Sequence, residues 1–356
     1  MTARIKDVAA RAGVSSATVS RVLSNKPHVS EQVRRRILAA IDELDYQPSR
    51  VARSLRIQRS RIIGLIISDI QNPFFNTLAR AVEDVAYAYQ YAVFLCNSDE
   101  DIEKEKLYID LMQAEQVAGV MISPTQQHDN PCQRLIRANI PVVVIDRRVA
   151  DLDIVDTVVV DNIAGARTLV SHLIDDGHRR IGAVLGTAAA TTGRERYEGY
   201  TQALLARDLP ILPDLIRTGI PKEADGYRLT QQLLDLPEPP AALFTGNDLL
   251  TLGALKAIRD RRLSIPDDIA LGAFDELDWM SLVKPPLTVV AQPTYDIGRT
   301  AADLLLKRIE ERDRPIQTIE FQPDFIIRQS CARHPDAGAP AQRPDRDSHD
   351  LPSVAR

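Results

Sequence analysis

From residue 62 onward, short apolar runs alternate with helical patterns, and that alternation restricts the fold more than any other feature of the chain. Runs at 62–67, 92–96, 118–122, 141–145 and 157–160, and again at 181–185, 241–244, 269–274 and 287–291, have the length of strands. Helical stretches such as 78–88, 164–175, 197–206 and 249–261 lie between most of them. Apolar strands buried on both faces and separated by helices predict a parallel, doubly wound α/β sheet. A body this long has room for two such units.

Doubly wound sheets bind ligands beyond the carboxyl ends of their strands. Reading off those positions collects Asn72, Phe74 and Phe75 after the first run, then Asp146 and Arg147 after the fourth. Later strand ends supply Arg196, Asn247, Asp275 and Gln292. Carboxylates accept hydrogen bonds, guanidiniums donate in a rigid fork, and carboxamides do both. Phe74 and Phe75 can lie against an apolar C–H face. The mixture suits a polyhydroxylated ligand. Each position alone also has a structural reading: Asp146 and Asp275 as turn residues, Asn72-Pro73 as a turn of its own, Phe74 as core.

The first 61 residues differ sharply in charge. They hold thirteen Lys/Arg against five Asp/Glu, a net of +8, whereas the remaining 295 carry −13. A basic module inside an acidic chain is the footprint of a polyanion partner. Apolar residues at 5, 8 and 9 predict a first helix, Gly13 a positive-φ stop, and Ser15 an N-cap accepting from Thr18. A second helix follows over 17–23. A third, capped by Ser30, runs to about 44 with 33, 37, 38, 41 and 44 on one face. This is a helix-turn-helix pattern, whose second helix enters the major groove with its N-terminal residues on the base edges. Ser16, Ala17 and Arg21 would face the bases there. Arg21 suits a bidentate contact to guanine, and Ala17 an apolar contact such as a thymine methyl.

At these residues the chain resembles the lactose repressor (LacI) family of bacterial transcription regulators, in appearance the ribose and purine repressors within it. The matching stretches are Ile5-Lys6-Asp7-Val8-Ala9, Ala12-Gly13-Val14-Ser15, Thr18-Val19-Ser20-Arg21-Val22-Leu23 and Tyr46-Gln47-Pro48-Ser49-Arg50-Val51-Ala52-Arg53-Ser54-Leu55, and the likeness continues to about residue 330. Arg4 departs, standing where the family usually has a Thr cap; Thr2 is the alternative cap. The resemblance implies a helix-turn-helix headpiece over 1–47, a hinge helix and linker over 48–61, and a two-lobed effector-binding and dimerisation body over 62–332. The body would have two periplasmic-binding-protein-like doubly wound parallel sheets, with the chain crossing between lobes near 161, 292 and 323. Pro48-Ser49 is itself a helix-start signal. The family's hinge pairs with its copy and pushes a Leu into the minor groove. Leu55 holds that position here, with Arg56 adding positive charge. An apolar wedge of this kind kinks the duplex.

The nine strand-end residues stand where sugar-binding members of the family have ligand contacts. The resemblance therefore implies a small sugar effector, a pentose such as ribose or a related monosaccharide. A ring-stacking aromatic usual near Ile220-Pro221 is missing. Purine-responsive relatives place an Arg near position 190, which is Ala190 here; a purine or other non-sugar effector is the alternative. The implied partners are a palindromic double-stranded DNA operator, the effector and a second copy of the chain, a homodimer. Some relatives carry a Leu-heptad tetramerisation helix at the C-terminus. Residues 333–356 hold only Leu351, lack apolar periodicity, and read as a disordered tail.

Other classes fit poorly. No G-x-S-x-G, P-loop, G-x-G-x-x-G or H-E-x-x-H occurs, and the six His lack metal-ligand spacing, so no catalytic residue, metal or cofactor is expected. Asp146 and Asp275 could be imagined as a glycosidase dyad. Arg147 and Arg196, however, are expected to hold nearby carboxylates ionised, which is wrong for a general acid. A solute receptor would need an export signal and has no use for a basic headpiece. No apolar run approaches the ~18 residues of a membrane span. The charged start lacks an apolar signal core, and Cys96, Cys132 and Cys331 form no disulfide framework. Together these suggest a cytoplasmic protein.

Overall fold

In the computed structural model, residues 3–23, 29–46, 60–150 and 154–332 are described. The chain divides into two units, Met1–Ser60 and Arg61–Arg356. The first contains α1 (Ile5–Ala12), α2 (Ser16–Leu23) and α3 (Glu31–Glu43). Gly13 has φ +63° and closes α1, with Val14 N–H donating to Ala9 O at 3.0 Å. Arg36 of α3 donates to the same helix end, its Nε 3.2 Å from Ala12 O. Ser15 Oγ accepts from Thr18 N–H at 3.2 Å and Ser30 Oγ from Val33 N–H at 3.5 Å, so both expected caps are in place.

The start of α1 is solved differently. Arg4 occupies the cap position, and a guanidinium has no acceptor to offer. Asp7 reaches back instead, its carboxylate accepting from Arg4 N–H at 2.7 Å. Thr2 lies outside the described residues, as do Leu55, Arg56 and the hinge they belong to, and residues 333–356. Val8, Ala9, Val19, Val22, Ile37 and Tyr46 form the core of this unit.

The second unit holds two six-stranded sheets among the described residues. The first sheet contains β1 (Ile62–Ile67), β2 (Ala92–Asn97), β3 (Gly119–Ile122), β4 (Val142–Ile145) and β5 (Asp156–Val160). The second contains β6 (Ile181–Gly186), β7 (Ile216–Gly219), β8 (Ala242–Thr245), β9 (Ala270–Phe274) and β10 (Thr288–Ala291). The last strands, β11 (Thr318–Phe321) and β12 (Asp324–Ile326), part company: β11 joins the first sheet beside β5, and β12 joins the second, antiparallel to β10. The orders are β11-β5-β4-β3-β1-β2 and β12-β10-β9-β8-β6-β7, so the two lobes repeat one topology. The chain passes between sheets after β5, after β10 and after β11.

Helices cover both faces of each sheet. In the first lobe α4 (Pro73–Ala88) packs on one face, and α5 (Ile102–Ala114) and the short α6 (Gln133–Arg137) on the other. In the second, α7 (Asn162–Asp175) and α8 (Thr191–Leu205) oppose α9 (Glu223–Leu234) and α10 (Asp248–Asp260). The last helix, α11 (Thr294–Glu310), follows a second-lobe strand but buries Ile297, Ala301 and Leu305 against α4 and the first sheet. The nine expected strands are all present. The three that were not foreseen, β7, β11 and β12, are edge strands, partly exposed and without a long apolar run.

Three helices begin earlier than the apolar periodicity suggests. Asn72 is the N-cap of α4, its Oδ1 accepting from Phe74 N–H at 2.8 Å, with Pro73 in the first turn. Phe74 and Phe75 therefore stand on a helix rather than in a loop. The same correction applies to Arg194, Glu195 and Arg196, which lie within α8. Asn162 and Ile163 likewise belong to α7.

Candidate functional site

In the first unit, α2 turns Val19, Ser20 and Val22 inward. Ala17 and Arg21 are exposed and Ser16 is half-buried. The outward face thus presents a small apolar group and a guanidinium on one short helix, the chemistry of a base-reading surface.

In the second unit, all nine strand-end residues singled out above line one cleft between the two sheets: Asn72, Phe74, Phe75, Asp146, Arg147, Arg196, Asn247, Asp275 and Gln292. The topology explains the convergence. β1 is flanked by β2 and β3, and β6 by β7 and β8, so each sheet has a switch point where consecutive connections run to opposite sides. The segments after β1, β4, β6, β8, β9 and β10 open there. Asp146 and Asp275 both take positive φ, +65° and +76°, at the carboxyl ends of β4 and β9.

Arg196 is fixed from four sides. Its Nε donates to Asn162 Oδ1 at 2.9 Å and its Nη1 to Gly246 O at 2.5 Å. The guanidinium carbon lies 3.7 Å from the Phe274 ring centroid, and Nη1 is 4.0 Å from Asp275 Oδ2. Gln292 Nε2 donates to Asp275 Oδ1 at 2.5 Å. Asn247 caps α10, accepting from Leu250 N–H at 2.8 Å. In both cap asparagines the Oδ1 is used by the helix, and Asn247 Nδ2 donates to Pro221 O at 3.3 Å. Phe74 and Phe75 meet edge to face at 5.1 Å and are also part of the first lobe's core.

Burial pushes the Asp146 carboxyl up to about 6. Arg147 and Arg196 pull it back, Asp275 adds to the rise, and Ser123 Oγ donates to it at 3.2 Å. Desolvation outweighs the pull of the two arginines, so this carboxyl titrates above an ordinary one. Asp248 is likewise raised, by burial and by Asp275, and its Oδ2 is buried without a hydrogen-bond partner.

The cleft also contains residues that the strand-end reading passed over. Asp69 follows β1 and is raised by burial. Glu100 lies beyond β2, a strand end that was not considered. Thr192 and Gly193 belong to the first turn of α8. A Cβ on Gly193 would press into Thr187 O, so only glycine permits this approach. Pro221 lines the cleft where the aromatic is missing. The lobes touch around it: Arg148 N–H donates to Thr191 Oγ1 at 2.9 Å, Gln127 N–H to Ala189 O at 2.9 Å, and Lys222 Nζ to Asp99 Oδ1 at 2.5 Å.

Among the described residues no group of three or more His, Cys, Asp or Glu is placed to hold a metal ion. No described helix is long and apolar enough to cross a membrane.

Comparison with known proteins decides the family. Residues 4–49 match the model of bacterial regulatory proteins of the lacI family, and residues 170–331 that of the periplasmic binding protein-like domain. A ribose operon repressor of Halalkalibacterium halodurans is 37% identical over 326 residues, spanning 92% of this chain and 96% of that protein. This chain belongs to the lacI family. It is a transcriptional repressor of that family, by its likeness to named repressors along most of its length. The HTH-type transcriptional repressor PurR of Haemophilus influenzae (strain PittEE) is 35% identical over 333 residues, covering 92% of this chain and 98% of the relative. The lac repressor dimer bound to operator and the anti-inducer ONPF superposes with a TM-score of 0.77 at 27% identity, covering 93% of this chain and all of that one. Family repressors bind DNA operators and small-molecule effectors, which matches the exposed helix and the polar cleft. They are a non-enzymatic class.

Proposed function

We propose that this repressor binds a palindromic operator as a homodimer and that a monosaccharide in the cleft controls its affinity for DNA. The effector is a pentose such as ribose, or a close relative. The observation that carries this reading is the lining of the cleft. Eleven polar side chains, drawn from both lobes, surround two phenylalanines. Hydroxyl groups satisfy such donors and acceptors together, and a buried polar group left unpaired is costly. Residues 1–47 read the half-site through Ser16, Ala17 and Arg21, and 48–61 link them to the body, with Leu55 and Arg56 toward DNA. The homodimer reading is supported by the exposed apolar side chains of the first lobe: Phe94 and Leu95 on edge strand β2, and Leu107 and Leu111 on α5. Acting on DNA, the protein works in the cytoplasm.

A purine effector is the second reading, favoured by the 35% identity to PurR. Against it stands Ala190, which lines the cleft at the N-cap of α8 and offers no donor side chain. Calorimetry of the full-length chain against pentoses, hexoses and nucleobases distinguishes them. Heat from a free monosaccharide is the expected result. Binding of a purine with no response to any free sugar would replace the sugar reading with the purine one.

A further inference from the structure

The cations of the cleft are already engaged by the chain itself. Arg147 Nη1 lies 2.8 Å from Glu100 Oε2 and Nη2 lies 2.5 Å from Glu100 Oε1, a bidentate pair, and Nη1 also donates to Pro124 O at 3.1 Å. The two side chains are only 5% and 12% exposed. Arg147 Nε is buried without a hydrogen-bond acceptor, 3.5 Å from Asp146 Oδ2. Arg196 is held by Asn162, Gly246 O and Asp275, and Lys222 by Asp99. The lining holds four carboxylates, Asp69, Glu100, Asp146 and Asp275, against two guanidiniums, Arg147 and Arg196. Glu100 is no wandering surface group: its own N–H donates to Ser68 O at 2.9 Å, tying it to the end of β1.

We propose that Glu100 sets the charge class of the effector: by filling the fork of Arg147 it makes the cleft accept a neutral ligand and reject the same ligand carrying a phosphate or carboxylate. This rests on the reading of the cleft as the effector site. A guanidinium fork is the natural receptor for an anionic oxygen pair. Here an incoming anion must either displace Glu100, leaving a buried carboxylate unpaired, or sit among carboxylates. A neutral hydroxyl needs neither. It can donate to the carboxylates of the lining instead. Selection of this kind is built from repulsion as much as from attraction.

The test is calorimetry of the full-length protein with matched neutral and anionic probes: D-ribose, D-ribose 5-phosphate and D-ribonate, and glucose with glucose 6-phosphate. Wild type should bind a neutral member at least about 100-fold more tightly than its anionic partner. Glu100→Gln should narrow that ratio by about tenfold or more, with the gain on the anionic probe, whereas Glu100→Asp should keep the rejection. Thermal unfolding of each variant reports its folding; should Glu100→Gln not fold, Glu100→Ala replaces it. A wild-type ratio near one, or an unchanged ratio in a folded Glu100→Gln protein, overturns the role of Glu100 while leaving a sugar site intact. If only purines bind, the sugar reading falls. Inosine against inosine 5′-monophosphate then tests Glu100 by the same ratio. Silence toward every probe overturns the cleft reading and this inference with it.

Discussion

Asp146 is the residue at which binding and stability pull in opposite directions. Its carboxyl is raised from the ordinary 3.8 to about 6, chiefly by burial. The folded protein therefore keeps this proton at a pH where the unfolded chain has lost it. The sign follows: the contribution is present below about pH 4 and is lost as pH rises through about 6. Asp146→Asn should remove that slope from the ligand-free protein and raise its stability at pH 7 by roughly 3 kcal/mol, while weakening ligand binding. Urea unfolding followed by circular dichroism between pH 4 and 7.5 measures it; parallel pH profiles for the two proteins would contradict it. At this scale much of the cleft was legible, because strand ends are visible as the residues after an apolar run. Asp69 escaped because the strand end was read through the more conspicuous Asn72 three residues later. Glu100 escaped because the loop after β2 reads as an ordinary solvated acidic turn. Its partnership with Arg147, 47 positions later, exists only in the fold.

The elements show where periodicity is informative and where it is not. Central strands were legible as apolar runs, since both faces are covered by helices. Edge strands β7, β11 and β12 have a face or an edge toward solvent, and nothing in Ile216–Gly219 or Asp324–Ile326 separates them from loops. Helix starts were misjudged for a related reason. The first turns of α4 and α8 line the cleft, Phe74 and Phe75 also packing into the core, so their residues serve the cleft as well as the core and break the 3.6-residue apolar repeat. Asn72-Pro73 did carry a helix-start signal, an N-cap followed by proline. The small helices of the headpiece, by contrast, were legible from Gly13, Ser15 and Ser30, because caps and a positive-φ stop are local features. Arg21 stands on the exposed face of α2, and its replacement tests that element. Arg21→Ala should relax base preference at one position per half-site, a discrimination of about 1–3 kcal/mol. Selection from a random operator library reads this out; an unchanged sequence preference would place Arg21 on a phosphate instead.

At the level of the whole molecule, the second unit is one topology used twice, with the last two strands shared out between the sheets. Three chain crossings join the lobes, and cleft-lining residues come from both sides of them. A ligand that touches both lobes binds one arrangement of them better than another, and only such a difference can shift a conformational equilibrium. The alternating runs made two doubly wound units legible. The crossings were not, because they depend on where β11 and β12 pair; only the likeness to the LacI family pointed to them. The central claim is that a neutral monosaccharide held by these residues controls operator affinity, and coupling between two ligands is reciprocal in free energy, typically 5–150-fold in affinity. The most direct measurement is an operator titration of wild type and Asp275→Ala, each with and without the monosaccharide that calorimetry identifies. The account predicts that the sugar shifts wild-type affinity by a factor in that range, in either direction. The variant should show no shift and an unchanged sugar-free affinity. A variant that still responds to the sugar, or one that loses DNA binding with no ligand present, would contradict it.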